Sequence, residues 1–542
     1  MIFEVKEKDL AGRTGKLVTK MGVIETPAFF PVINPRNNII PVNILKNKFK
    51  IKNIITNAYI LSKYLIQRSM PIRDIHEILN FNDIIMTDSG AYQILVYKKV
   101  SIDPIEIIEI QEKLNSDIAV ILDIPTSGTA SYKEARETVW RTIKNAKISI
   151  EKITRSDIIW VGPVQGGIYT DLVRYCARKI GSMNFQMHAI GGPTQLMENY
   201  RFDDLVDLVV NAKRELPINR PVHLFGAGHP LILPLLVALG CDTFDSASYA
   251  IYARDDRYIT PTGTIKLDRL EVLPCNCEVC RKYEAKELKE LDKKSRMQIL
   301  AEHNLSVIIK EINNIKQAIH EGTLWELIEI KARAHPQLHQ AVLRLMKYRK
   351  YLEKYDPSLK GKVKGIFYFS YEGLSRPEIT RHLIKLQRNV RFHDKKILLL
   401  IPDPIEKPYH KSKKVKRIIK IVNKTLRERA VEVHECIYCV PFGIIPLEID
   451  EIYPLTQHEK SIHKDLNSYK VILKAAEILL KNNNYRFVII YKDEDHHYLN
   501  EKIVNRLKKL CNKLNVKVKI VRNGTKELKE ILKTLSGEIL HV

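Results

Sequence analysis

The sequence predicts an α/β chain: a (β/α)8 TIM barrel with a cysteine-rich insertion or extension, followed by smaller basic α/β accessory domains. Three observations predict it. First, eight short apolar runs alternate with longer helical patterns between residues 26 and 249. Such runs read as strands covered on both faces, and eight strand–helix units in that length close a barrel. Second, the runs give way to polar residues or glycine at their C-terminal ends. Third, residues 361–542 hold 37 Lys and Arg against 21 Asp and Glu, a net of +16 out of +25, so the chain changes character after the barrel.

Taken in order, the strands are TPAFFPV (26–32), NIITNAY (53–59), DIIMTDSG (83–90), DIAVILDIP (117–125), DIIWVGPVQGG (157–167), QMHAIGG (186–192), PVHLFGAG (221–228) and DTFDSASY (242–249). Between them PIEIIEIQEKL and YKEARETVWRTIKNAKISIEKI have helical spacing. Residues 304–357 read as further helices, and DPSLKGK (356–362) reads as a linker. Beyond it GIFYFS, KILLLIP and YRFVIIY read as strands. The expected domains are 1–355 for the barrel with its cysteine cluster (275–303), 361–460 for an accessory domain, and 461–542 for a basic C-terminal α/β domain. No apolar run reaches bilayer length and MIFEVKEKDL has no signal-peptide pattern, so a cytoplasmic protein without a membrane partner is expected. The basic excess favours a polyanionic partner, RNA or DNA, over a merely solvated lysine-rich surface.

Barrel strand ends converge on one face, where loops build the site. Asn57, Asp88, Asp123, Gln165, Gly191 and Asp245 close six of the last seven runs. Asp88 and Asp245, on the third and eighth strands, can face one reacting carbon from two sides. Paired carboxylates of that kind suit glycosidic chemistry, one attacking and the other handling protons. Asp123, Gln165 and the backbone of Ile190–Gly192 together can pair the edge of a purine-like base, and Tyr92 and Phe225 can sandwich it. Cys275, Cys277, Cys280 and His303 follow the pattern C-x-C-x2-C-x22-H. Three thiolates and an imidazole fill all four positions of a tetrahedral zinc, which predicts a structural ion. Cys436 and Cys439 have no second pair nearby and read as buried thiols or a disulfide.

MTDSGAYQ, VQGG, AIGG, FDSASYA and the C-x-C-x2-C…H pattern, in this order, resemble the tRNA-guanine transglycosylases. ILDIPT, HLFGAGHP and YARDDRYITPTGT resemble the archaeal branch, which inserts 7-cyano-7-deazaguanine at position 15 of the tRNA D-loop on the way to archaeosine. The resemblance covers roughly residues 1–350 and extends more loosely over IPLEIDEIYPLTQHE (445–459). It implies Asp245 as the nucleophile toward C1′ of the target guanosine and Asp88 as the general acid/base. It implies base recognition by Asp123, Gln165, Gly191, Gly192 and Thr194, with Tyr92, Phe225 and Ser89 beside them, and one structural zinc on Cys275, Cys277, Cys280 and His303. Its implied partners are tRNA, guanine and 7-cyano-7-deazaguanine, and it allows a homodimer. KEILKTLSGEILHV does not read as the small PUA β-barrel with which archaeal members often finish. Either a separate PUA-domain protein grips the tRNA, or the basic region suffices, or the protein is specialised; the lysine-rich HKSKKVKRIIK (410–420) is a phosphate-contacting candidate. An archaeosine synthase-like enzyme and a non-catalytic tRNA-binding subunit are the competing readings. The first would not need both aspartates, and the second should have lost one.

Overall fold

The computed structural model describes residues 2–93, 102–360, 365–461, 466–492, 501–522 and 524–540. The chain divides into two compact units, Met1–Val363 and Lys364–Val542. The first opens with an antiparallel sheet that the apolar runs did not announce: β1 (Phe3–Asp9), β2 (Gly12–Thr19) and β3 (Gly22–Thr26). The eight predicted strands follow as β4 (Ala28–Pro31), β5 (Asn53–Asn57), β6 (Ile84–Asp88), β7 (Ile118–Val120), β8 (Ile159–Val164), β9 (Met187–Ile190), β10 (Val222–Leu224) and β11 (Thr243–Ser246). They form one parallel sheet in the order β4-β11-β10-β9-β8-β7-β6-β5, and a parallel bridge between Val32 and Ile55 brings its two edges together. Helices Pro104–Lys113 and Tyr132–Lys152 fall where the periodicity placed them. Asp103 caps the first ahead of Pro104, and Ser131 with Glu134 forms a capping box on the second.

Strand alternation explains both the barrel filling and the site. Ile55, Ile84, Met86, Ile118, Val120, Ile159, Val161, Met187 and Ala189 form the inner core with Ala28 and Phe30. Ile54, Ile85, Ala119 and Trp160, one residue out of step, belong to the outer core under the helices. Phe3, Leu17 and Ile24 of the N-terminal sheet join the inner cluster, so that sheet seals the barrel on the side where the strands begin. Arg13 of β2 is locked there by a buried ion pair with Asp242 at 2.7 Å, just ahead of β11.

After the barrel come the hairpin β12 (Arg257–Thr260) and β13 (Gly263–Lys266), the long helix Lys293–Glu321, and shorter helices to Tyr355. The stretch read as a linker is anchored where it is described. Asp356 accepts from the Leu10 amide at 2.9 Å, and Lys360 pairs with Asp9 at 2.6 Å. Residues 361–364 lie outside the described residues.

The second unit contains a parallel pair, β14 (Ile366–Tyr368) with β18 (His458–Lys460), and a five-stranded sheet. The sheet runs β17 (Gly443–Pro446), β16 (Val433–Cys439), β15 (Ile397–Pro402), β19 (Phe487–Tyr491), β20 (Lys517–Val521), with only β17 antiparallel. Strands from both sides of residue 460 share this sheet, so the division expected there would cut hydrogen-bonded neighbours apart. Cys436 and Cys439, both on β16, are buried free thiols. The last element is the helix Gly524–Leu540. No helix among the described residues is long and apolar enough to cross a membrane.

Candidate active site

At the C-terminal strand ends one cavity of about 980 Å³ collects most of the predicted residues. Asn57, Asp88, Tyr92, Asp123, Gln165, Gly191, Gly192, Thr194, Phe225 and Asp245 all line it. Parity accounts for much of this. Asn57, Asp88, Gln165 and Gly191 lie an even number of residues beyond the inner-core Ile55, Met86, Val161 and Ala189, so they continue the inward-facing series above the apolar filling. Asp123 lies three residues past the short β7, where irregular backbone breaks the alternation.

Asp88 is held by its strand neighbour. Asn57 pairs with it in register and donates Nδ2 to its Oδ2 at 3.2 Å, and the Gly90 amide donates to the same oxygen at 3.2 Å. Gly90 has φ +90°, and a Cβ there would come within 2.7 Å of Tyr59 Cβ, so the turn that brings this amide round requires glycine. Burial, and then the charges of Asp123 and Asp245, push the Asp88 carboxyl up to about 7. Asp123 accepts from Gln165 Nε2 at 2.5 Å, while Gln165 Oε1 accepts the Thr126 amide at 3.0 Å, which fixes the amide's orientation. Burial pushes Asp123 up to about 6 against that hydrogen bond. At Gly191 a Cβ would meet Gln165 Nε2 at 2.0 Å; the bare backbone is what leaves room for the glutamine.

Asp245 differs. His223 Nε2 meets its Oδ1 at 2.9 Å, and the Gly226 amide donates to the same oxygen at 2.9 Å. Sequence reading missed His223 because a histidine inside HLFGAG looks like strand filling; its parity with Phe225 was the available signal. Tyr92 is 44% exposed in the helical residues 91–93 just after β6, at the cavity wall. Ser89 lies differently from the other expected residues. It is fully buried, it does not line the cavity, and its hydroxyl has no hydrogen-bond partner among the described residues. Alternation turns it away from the face that Asp88 occupies.

A second cluster lies apart from the cavity. Single ligand atoms of Cys275, Cys277, Cys280 and His303 all lie within 4.8 Å of one another. Cys277 Sγ is 3.6 Å from Cys280 Sγ, and each lies 3.4 Å from His303 Nδ1. Those separations are near the ~3.5–3.8 Å edges of a tetrahedron built with zinc–sulfur and zinc–nitrogen bond lengths. His303 Nε2 contacts Ile259 O at 2.9 Å, which leaves Nδ1 as the ligand atom, and Tyr258 stacks on the ring at 3.6 Å. The set fits a four-coordinate metal ion.

The family model described as queuine tRNA-ribosyltransferase matches residues 8–337, and one described as a domain of unknown function (DUF5591) matches 379–538. The chain is 43% identical over 485 residues to the tRNA-guanine(15) transglycosylase of Pyrobaculum aerophilum, covering 87% of this chain and 95% of that one. With the protein of the same name from Sulfolobus acidocaldarius it shares 43% over 485 residues, 88% and 92% of the two chains. With that of Methanocaldococcus jannaschii it shares 38% over 569 residues, covering 100% of this chain and 84% of the other. The parallel barrel, the inward carboxylates at its strand ends and these matches agree: the chain belongs to the queuine tRNA-ribosyltransferase family.

Proposed function

We propose that this chain is a tRNA-guanine(15) transglycosylase that replaces guanine in the D-loop with 7-cyano-7-deazaguanine through a covalent ester on Asp245. One observation carries this reading: two carboxylates lining one cavity are held in different surroundings. Asp88 is desolvated and titrates near neutrality, whereas Asp245 receives two hydrogen bonds on one oxygen and presents the other. Asp245 attacks C1′ of the target nucleoside, the C1′–N9 bond breaks, and guanine leaves with a proton supplied at N9 by Asp88. Asp88, now ionised, takes the corresponding proton from the incoming base, whose nitrogen attacks C1′ and releases Asp245 as carboxylate. One glycosidic bond replaces another, so the exchange needs no redox cofactor and no ATP.

Asp123, Gln165 and the Gly191–Gly192 backbone read the base edge, with Thr194 in the same loop and Phe225 against the ring. Cys275, Cys277, Cys280 and His303 hold a structural zinc, which has no open position for substrate. The basic second unit grips the tRNA, alone or with a separate PUA-domain protein. Both aspartates stand in the cavity, which favours base exchange over a non-catalytic subunit. The test is incubation of the protein with unmodified tRNA and radiolabelled 7-cyano-7-deazaguanine, then mapping of the label. Incorporation at position 15 is expected; none there, with guanine or the deazaguanine, would refute the assignment.

A further inference from the structure

We infer that His223 is a positioning residue for Asp245: it holds Oδ1 so that Oδ2 is the oxygen that attacks. This rests on Asp245 being the nucleophile. His223 is fully buried within β10, between the Phe30 and Phe225 rings, which meet it edge-on at 6.1 and 4.9 Å. Its two nitrogens have one partner each. Nε2 lies 2.9 Å from Asp245 Oδ1, and Nδ1 lies 2.9 Å from Thr243 Oγ1. Thr243 and Asp245 stand two residues apart on β11 and so face the same side.

The chemistry of these partners selects one tautomer. An ionised carboxylate only accepts, so Nε2 carries the proton. In the neutral ring Nδ1 is then an acceptor, and the Thr243 hydroxyl donates a hydrogen bond to it. Thr243, His223 and Asp245 thus form a directed chain whose last bond, with that of the Gly226 amide, lands on Oδ1. Oδ2 receives no hydrogen bond from the described residues.

The same donors suit both states of the reaction. In the ester, Oδ2 is bonded to C1′ and Oδ1 is a carbonyl oxygen, still able to accept from Nε2–H and Gly226. No proton has to move between His223 and Asp245 at either step. Hydrogen bonds to a carboxylate are stronger than those to an ester carbonyl. The His223 bond therefore strengthens as the incoming base expels Asp245, so its loss should slow resolution of the ester as well as misaim the attack.

His223→Phe keeps a ring of similar shape and removes both nitrogens; His223→Gln returns an N–H near the Nε2 position. The account expects kcat for label exchange to fall about 10- to 100-fold in His223→Phe, the loss typical of a misplaced reacting group. KM for the free base and tRNA affinity should stay within about twofold, and His223→Gln should recover much of the rate. In a single-turnover chase, pre-formed adduct should be released by added guanine more slowly from His223→Phe than from wild type. Thr243→Val, which frees Nδ1 and the ring's tautomer, should show a smaller kcat loss of the same kind, and it remains informative if His223→Phe folds poorly. Wild-type kcat and chase rate in His223→Phe, or equal losses in kcat and tRNA affinity in the folded variants, would overturn the inference. Asp245→Asn separates the two levels: its full activity would remove the nucleophile itself, whereas an inactive Asp245→Asn beside a fully active His223→Phe would remove only this role.

Discussion

Asp88 shows how one side chain's surroundings set its chemistry. Burial and two nearby carboxylates raise it to about 7, and Asp123 is raised to about 6 beside it. Asp88 must be protonated as the acid of the first half-reaction and ionised as the base of the second. The exchange rate should therefore pass through a maximum near pH 7 and fall on both sides, with apparent values that belong to the coupled carboxyl cluster. Initial rates from pH 5 to 9 check this; a flat profile across that range would contradict it. The same shift affects stability. A raised folded-state pKa stabilises the fold through the protonated form, so that contribution is complete below the unfolded value of 3.8 and is lost as pH rises through about 7. The ionised form then costs the fold on the order of 4 kcal/mol. Asp88→Asn, which cannot ionise, should be inactive yet melt higher than wild type at pH 8, with a smaller difference at pH 5. Thermal melts at both pH values measure it.

At the scale of elements, the cysteine cluster braces the chain that carries Asp245. His303 and Asn304 are adjacent on the helix Lys293–Glu321. His303 reaches Ile259 O, while Asn304 accepts from the Ile259 amide at 2.7 Å and donates to Tyr249 O at 3.2 Å. Tyr249 belongs to the helix Ser248–Arg254 that directly follows β11. Removing the metal, or Cys277→Ser, should lower the melting temperature by several degrees and leave the turnover of the remaining folded protein close to normal. Elemental analysis should find about one zinc per chain. Metal-free protein with unchanged stability would contradict the structural role. Much of this level was legible beforehand. The eight strands, the two crossover helices and the Cys3His cluster follow from periodicity and spacing, which are local signals. The N-terminal sheet was not, because Phe3, Leu17 and Ile24 are thinly spaced apolar residues whose burial depends on a barrel end assembled from distant segments. His223 went unnoticed for a related reason: which face a strand residue occupies follows from register, and six letters of motif do not state it.

For the whole molecule, the second unit holds most of the net positive charge and none of the proposed reacting groups. On its helix Lys413–Leu426, Val415, Ile418, Val422 and Leu426 are buried, while Lys413, Lys416, Arg417, Lys420 and Lys424 are exposed at helical spacing along the other face. Lys414 is half-buried and leaves the phosphate-contacting candidate to the others. Changing Lys413, Lys416, Arg417 and Lys420 to Ala should weaken tRNA binding similarly across tRNA species. It should also flatten the salt dependence, by ~1 in log–log slope for each lysine or arginine that no longer neutralises a phosphate. Truncation after Lys360 should do so more strongly while the barrel keeps its metal; a truncated barrel that binds tRNA like the intact chain would remove this role. The central claim is the covalent one. It is tested most directly by mixing the protein with unmodified tRNA in the absence of an incoming base, denaturing, and looking for a protein–tRNA species. Wild type should yield such an adduct, discharged by added guanine or 7-cyano-7-deazaguanine, and Asp245→Asn should yield none. An Asp245→Asn protein that forms the adduct or turns over normally would contradict the account.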